Sequence, residues 1–167
     1  MRKRIIIPLL FFLFLTDGLL IPFLTKADYG LSISIFPRLV LVTIVYIAVY
    51  HRLWDALLIA FICGILTDLL FGRVYGVYTI SMVGVVFISI AFVGLRHPSF
   101  FYYMIVQLVA ISSFEIFVFG LQKIYGLVTV HFAEMILYVM LPTLIFNLLW
   151  AAILYPILNR LIGKKTI

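Results

Sequence analysis

Charge is what this sequence has least of. Asp, Glu, Lys and Arg make up 11% of 167 residues, whereas a soluble domain carries about 25%. That deficit excludes a separate soluble domain, and a mean hydropathy of +1.31 points to an integral membrane protein. Cysteine occurs once, as Cys63 in an apolar run. No internal disulfide can form, and Cys63 reads as a small buried hydrophobe. The three histidines, His51, His97 and His131, fall in loops or at span ends with no metal-ligand spacing. There is no His-Glu-x-x-His pattern, no Gly-x-Ser-x-Gly elbow and no phosphate-binding glycine loop. Ser112 and Ser113 precede Glu115, but hydroxyls in membrane helices usually bond back to the helix or across to a neighbour. No metal, cofactor or catalytic set is therefore expected. The net charge of +6 is no nucleic-acid signal. The basic residues stand singly or at the two ends, where they report topology and contact with lipid head groups.

What is present is apolar sequence cut by a few polar residues. The stretch FICGILTDLLFGRVYGVY, residues 61–78, organises the rest. Gly64 lies four residues before Asp68, and so on the same helical face. Ala60 and Ala56 continue that face. Small residues on one stripe let helices approach closely, and Gly72 and Gly76 then turn the chain. An acid within a membrane span is costly and usually paired or functional.

The apolar runs divide into six spans, about 5–24, 31–50, 56–71, 77–95, 100–121 and 141–161, forming one domain over residues 1–167. The basic start Arg2, Lys3 and Arg4 resembles a signal peptide. A small-residue cleavage site is missing, so the first span reads as uncleaved. The clean part of the second run, residues 39–50, covers only about 18 Å of a core roughly 30 Å thick. The span is therefore expected to begin near residue 31, which puts Pro37 and Arg38 in the outer part of the membrane. Arg38 either lies buried there or snorkels to the surface. Residues 131–140 either lie in the interface or lengthen a kinked span ahead of Pro142. Six spans place both termini in the cytoplasm. Arg2, Lys3, Arg4, Arg52, Arg96, Arg160, Lys164 and Lys165 then lie inside and Lys26, Arg38, Arg73 and Lys123 outside or near the outer face, as the positive-inside rule requires. No fixed-period repeat is present.

The polar residues within spans, Asp17, Arg38, Asp68, Glu115 and the Thr143/Asn147 pair, all fall in the outer leaflet. A buried polar cluster is expected there, the competing reading being that Asp17 and Asp68 reach the head groups. Arg38 needs compensation by Asp68 or Glu115. Asp68 is the geometrically easier partner, because spans two and three are joined by a short loop. Glu115 has more need of one. The many Phe and Tyr residues read mostly as lipid-facing or interfacial.

The ordered set of Pro37-Arg38, GILTDLLFGRVYGVY at 64–78, FEIFVFG at 114–120 and LPTLIFNLL at 141–149 resembles the MreD family of bacterial rod shape-determining membrane proteins, over essentially the whole chain. The resemblance implies an all-α, six-helix membrane bundle similar to the substrate-binding subunits of energy-coupling-factor transporters. It implies a non-catalytic scaffold in the bacterial cytoplasmic membrane. The scaffold would bind MreC through its span and extracellular part, and act indirectly with peptidoglycan synthases and with MreB where present, to regulate cell shape. Candidate docking surfaces are the outer loops and small-residue faces such as Ser81 and Gly84. The alternative is a vitamin-transporter binding subunit, whose substrate pocket would be the outer polar cluster.

Overall fold

The computed structural model describes residues 3–24, 33–93 and 99–162. Among them there is helix and no strand: α1 (Lys3–Leu24), α2 (Leu39–Tyr50), α3 (Leu53–Phe71), α4 (Val77–Val93), α5 (Phe100–Ile124), a short α6 (Phe132–Met135), a π-helical segment (Ile136–Met140) and α7 (Leu141–Leu161). The expected loop at 25–30, most of the loop at 96–99, the last residues of span four and the tail at 163–167 lie outside the described residues.

A helix with apolar side chains all round has no face for water and belongs in the middle. The helix α2 is of that kind, and all 12 of its residues are buried. Five helices, α1, α3, α4, α5 and α7, pack against it. These outer helices bury one side on α2 and turn large apolar side chains outward: Phe11 and Leu19 from α1, Leu58 and Leu69 from α3, Ile145 and Leu149 from α7. Apolar residues inside and outside alike suit a bundle whose solvent is lipid. Among the described residues, three helical runs are long and apolar enough to cross a membrane: Leu53–Phe71, Phe100–Ile124 and Phe132–Leu161. Shorter apolar helices accompany them.

The small-residue stripe sets how closely α3 and α4 meet. Ala56, Ala60, Gly64 and Asp68 are buried at four-residue spacing. A Cβ added at Gly64 would stand 2.5 Å from the Cα of Thr79, so the two backbones touch there. The connection needs Gly76, whose φ of +97° lies where L side chains are strained.

Several element boundaries differ from the sequence reading. Residues 33–38 are not helical, and helix begins only at Leu39. Pro37 disfavours helix at the residue before it, and side chains of other helices hold this extended segment, hereafter the strap. Of the two readings left open for 131–140, the lengthened span is the one seen: residues 132–161 form one unbroken helical run. Pro142 sits in the first turn of α7. Having no N–H and a ring that clashes with the preceding turn, it is accommodated by the π segment just before it. Elsewhere α3 begins three residues earlier than expected, at Leu53, and α5 runs on to Ile124.

Candidate functional site

The polar side chains inside the bundle share one level. At about 1.5 Å per residue, Asp17 stands about 21 Å along α1 from Lys3, Asp68 about 22 Å along α3 from Leu53, and Glu115 about 22 Å along α5 from Phe100. Counted back from the C-terminal ends, Asn147 is about 21 Å from Leu161 and Arg38 about 18 Å from Tyr50. Tyr50 lies against Tyr155 and donates to the carbonyl of Ser99, which puts these reference ends at one pole. The layer therefore lies about 18–22 Å from that pole of the bundle.

Arg38 sits at the head of α2, and its Nε donates to Glu115 Oε1 at 3.0 Å. Rings enclose the guanidinium, its Cζ standing 4.9 Å from the centroid of Phe114, 5.3 Å from Phe36 and 5.7 Å from Tyr78. Stacking of this kind favours a guanidinium over an ammonium. Both members are buried, Arg38 at 8% exposure and Glu115 at 5%, so Arg38 does not snorkel.

Asp68, the geometrically easier partner from sequence, is not the one observed. Its carboxylate accepts from the backbone N–H of Tyr78 at 2.9 Å and of Thr79 at 3.0 Å, and from the Thr79 hydroxyl. These N–H groups belong to the first turn of α4 and have no partner within that helix. The Gly64 contact and the Gly72–Gly76 turn bring them against Asp68. A charged cap satisfies them and favours the positive end of the helix dipole. At 2% exposure Asp68 is internal rather than solvated by head groups.

Asp17 does the same for α2. Its Oδ1 accepts from Leu39 N–H at 3.0 Å and its Oδ2 from Val40 N–H at 3.1 Å. Asn147 holds the residues just before: Arg38 N–H donates to its Oδ1 at 2.7 Å, and its Nδ2 donates to the carbonyls of Phe36 and Thr143, each at 2.8 Å. Phe36 N–H donates to Thr143 Oγ1 at 3.1 Å, and Ser34 N–H to the carbonyl of Tyr138 at 2.9 Å. In an α-helix the carbonyl of Tyr138 would serve the N–H of residue 142, which a proline lacks. Pro142 thus leaves an acceptor for the strap. Non-helical backbone within a bilayer is tolerated only where protein or water satisfies it, and α1 and α7 do so here.

A second polar group lies toward the opposite pole and was not apparent in the sequence. Tyr46, Tyr50, Tyr103 and Tyr155 form a ring cluster with centroids 4.7 to 6.4 Å apart. The Tyr46 hydroxyl donates to Asn159 Oδ1, and Gln107 Nε2 to the carbonyl of Val42 at 2.9 Å. Tyr46 and Tyr103 are fully buried, contrary to a lipid-facing reading. Their spacing to Tyr50 and Gln107, four residues in each case, is the signal that was there to find. The small-residue face expected to dock a partner is also used internally. Ser81 is fully buried and donates to the carbonyl of Val77, while a Cβ at Gly84 would meet Phe117 at 3.3 Å. Among the described residues no group of His, Cys, Asp and Glu is placed to hold a metal ion.

The comparisons with known proteins fit this picture. The sequence profile of rod shape-determining protein MreD matches residues 2–165. Rod shape-determining protein MreD of Bacillus subtilis (strain 168) is 25% identical over 158 residues, covering 91% of this chain and 89% of that protein. No solved structure matches.

Proposed function

The chain belongs to the MreD family of rod shape-determining proteins, and we propose that it acts as a non-catalytic, multi-pass scaffold of the cell-elongation complex in the bacterial cytoplasmic membrane. In this reading both termini face the cytoplasm. The bundle holds MreC by its membrane span and extracellular part, and through it helps to place peptidoglycan synthases, with MreB where present. The single observation that carries the reading is the family match over nearly the whole chain. The geometry supports it, because the intramembrane polar side chains spend their hydrogen bonds on the chain's own backbone. Asp17, Asp68 and Asn147 cap helices or hold the strap, and Glu115 holds Arg38.

The vitamin-binding alternative finds no comparable support. The cavity at the polar layer measures ≈ 30 Å³, whereas ligand pockets measure roughly 300–1,000 Å³. The experiment that tests the scaffold is co-purification from the native membrane. MreC is expected to copurify with the tagged protein in detergent, and depletion of the protein should round or widen the cells. Normal cell dimensions after clean depletion, with MreC absent from the purified material, would remove the proposal.

A further inference from the structure

Within the tyrosine cluster, two buried polar atoms close no hydrogen bond among the described residues: the hydroxyl of Tyr103 and Oε1 of Gln107. Both side chains are fully buried. They stand four residues apart, and so on one face of α5. A buried polar group without a partner is costly, and lipid supplies none. The Gln107 amide lies beside the Tyr103 hydroxyl, yet each group is held from another side. Gln107 Nε2 donates to the carbonyl of Val42 at 2.9 Å, which fixes the amide plane. The Tyr103 ring is held by those of Tyr46, Tyr155 and Tyr50, at centroid distances of 5.8, 5.2 and 6.1 Å. A direct bond would have to disturb one of these contacts. The neighbouring hydroxyls are loosely spaced as well. That of Tyr50 stands 3.4 Å from the Tyr155 hydroxyl and 3.5 Å from the carbonyl of Ser99, against about 2.7–2.8 Å for a close O–H···O bond. Ser99 is exposed, which puts water at the rim of the cluster.

We propose that a water molecule is bound between these two atoms, accepting from the Tyr103 hydroxyl and donating to Gln107 Oε1. It completes the polar contact by which α5 holds α2, toward the pole opposite the Arg38 layer. A buried water needs two to four polar partners, and this pair offers one donor and one acceptor. The inference does not depend on the scaffold role.

The test is X-ray radiolytic footprinting of the full-length protein in phospholipid nanodiscs, read by mass spectrometry at single residues. Hydroxyl radicals born from a bound water oxidise the side chain beside it. Phe114 is the control, an aromatic side chain equally buried on the same helix, about 16 Å further along it. Tyr103 is expected to oxidise faster than Phe114, on the order of fivefold, as befits a hydrated group compared with a dry one. Gln107→Leu removes the acceptor and should bring Tyr103 down to the Phe114 rate while leaving Phe114 unchanged. Oxidation of Tyr103 at or below the Phe114 rate in the wild-type protein would overturn the proposal, since a dry bond made directly between Tyr103 and Gln107 gives that result. The wild-type comparison stands by itself if Gln107→Leu does not fold. Persistence of fast Tyr103 oxidation in a folded Gln107→Leu protein would overturn it equally.

Discussion

At the scale of single residues, Arg38 and Glu115 form a pair whose members depend on each other. Removing one strands the other in the interior, which typically costs about 3–5 kcal/mol. Arg38→Ala and Glu115→Ala are therefore each expected to lower the thermal midpoint of the solubilised protein strongly. The double variant should recover part of the loss. The parallel cycle of Arg38 with Asp68 should show much weaker coupling, because the two meet only through Tyr78, whose ring faces Arg38 and whose N–H is accepted by Asp68. Strong coupling to Asp68 and none to Glu115 would reverse the assignment. Gly64→Val tests the close approach at Thr79. Overpacking there is expected to cost about 1–3 kcal/mol or more, and a wild-type midpoint would show that the helices are not in contact. The polar residues themselves are legible in the sequence, since a carboxylate in an apolar run stands out. Their partners are less so. Asp68 and Asp17 each bind two backbone N–H groups, and a backbone N–H leaves no mark in the sequence. Counting side chains alone therefore makes Asp68 seem to need Arg38, when the start of α4 already satisfies it.

At the scale of elements, the strap and α7 explain each other. A 12-residue helix is too short to span the core, and in the proposed six-span reading the non-helical residues 33–38 complete the crossing. The length deficit is visible in sequence. Extended rather than helical completion is not, because it depends on Thr143, Asn147 and the carbonyl of Tyr138 more than 100 residues away. Pro142 is the hinge of this arrangement. Pro142→Ala would return an N–H that competes with Ser34 for the carbonyl of Tyr138. The expected result is faster hydrogen exchange at the Ser34 and Phe36 amides, with α3 and α4 unchanged. Unaltered exchange at Ser34 would show that the π segment holds the strap without the proline. Asn147→Leu should be more damaging. It leaves Arg38 N–H and the carbonyl of Phe36 unpaired, each at about 1–3 kcal/mol, and midpoint loss in thermal unfolding measures it.

At the scale of the whole molecule, the composition is enough to identify a membrane bundle, and the ordered motifs point to its family. Which helix takes the centre follows from α2 alone, the run without a charged or amide side chain, whose Thr43 bonds back to the carbonyl of Leu39 and whose Tyr46 and Tyr50 hydroxyls find partners on α7. The sidedness proposed above predicts that cysteines introduced at Arg73 and Lys123 react with an impermeant reagent added outside the cell. A cysteine at Arg52 should not. Outside labelling at Arg52 would invert or break the topology. The central claim is that the intramembrane charges build the scaffold and do no chemistry of their own. Replacing a buried pair by apolar residues of similar volume is often tolerated, whereas breaking it is not. The most direct test is cell width during depletion of the native protein, with rescue by Arg38→Met combined with Glu115→Leu, or by Arg38→Met alone. The account predicts that the double variant restores normal width and the single variant does not. A double variant that reaches the membrane at wild-type levels yet leaves the cells round would contradict it.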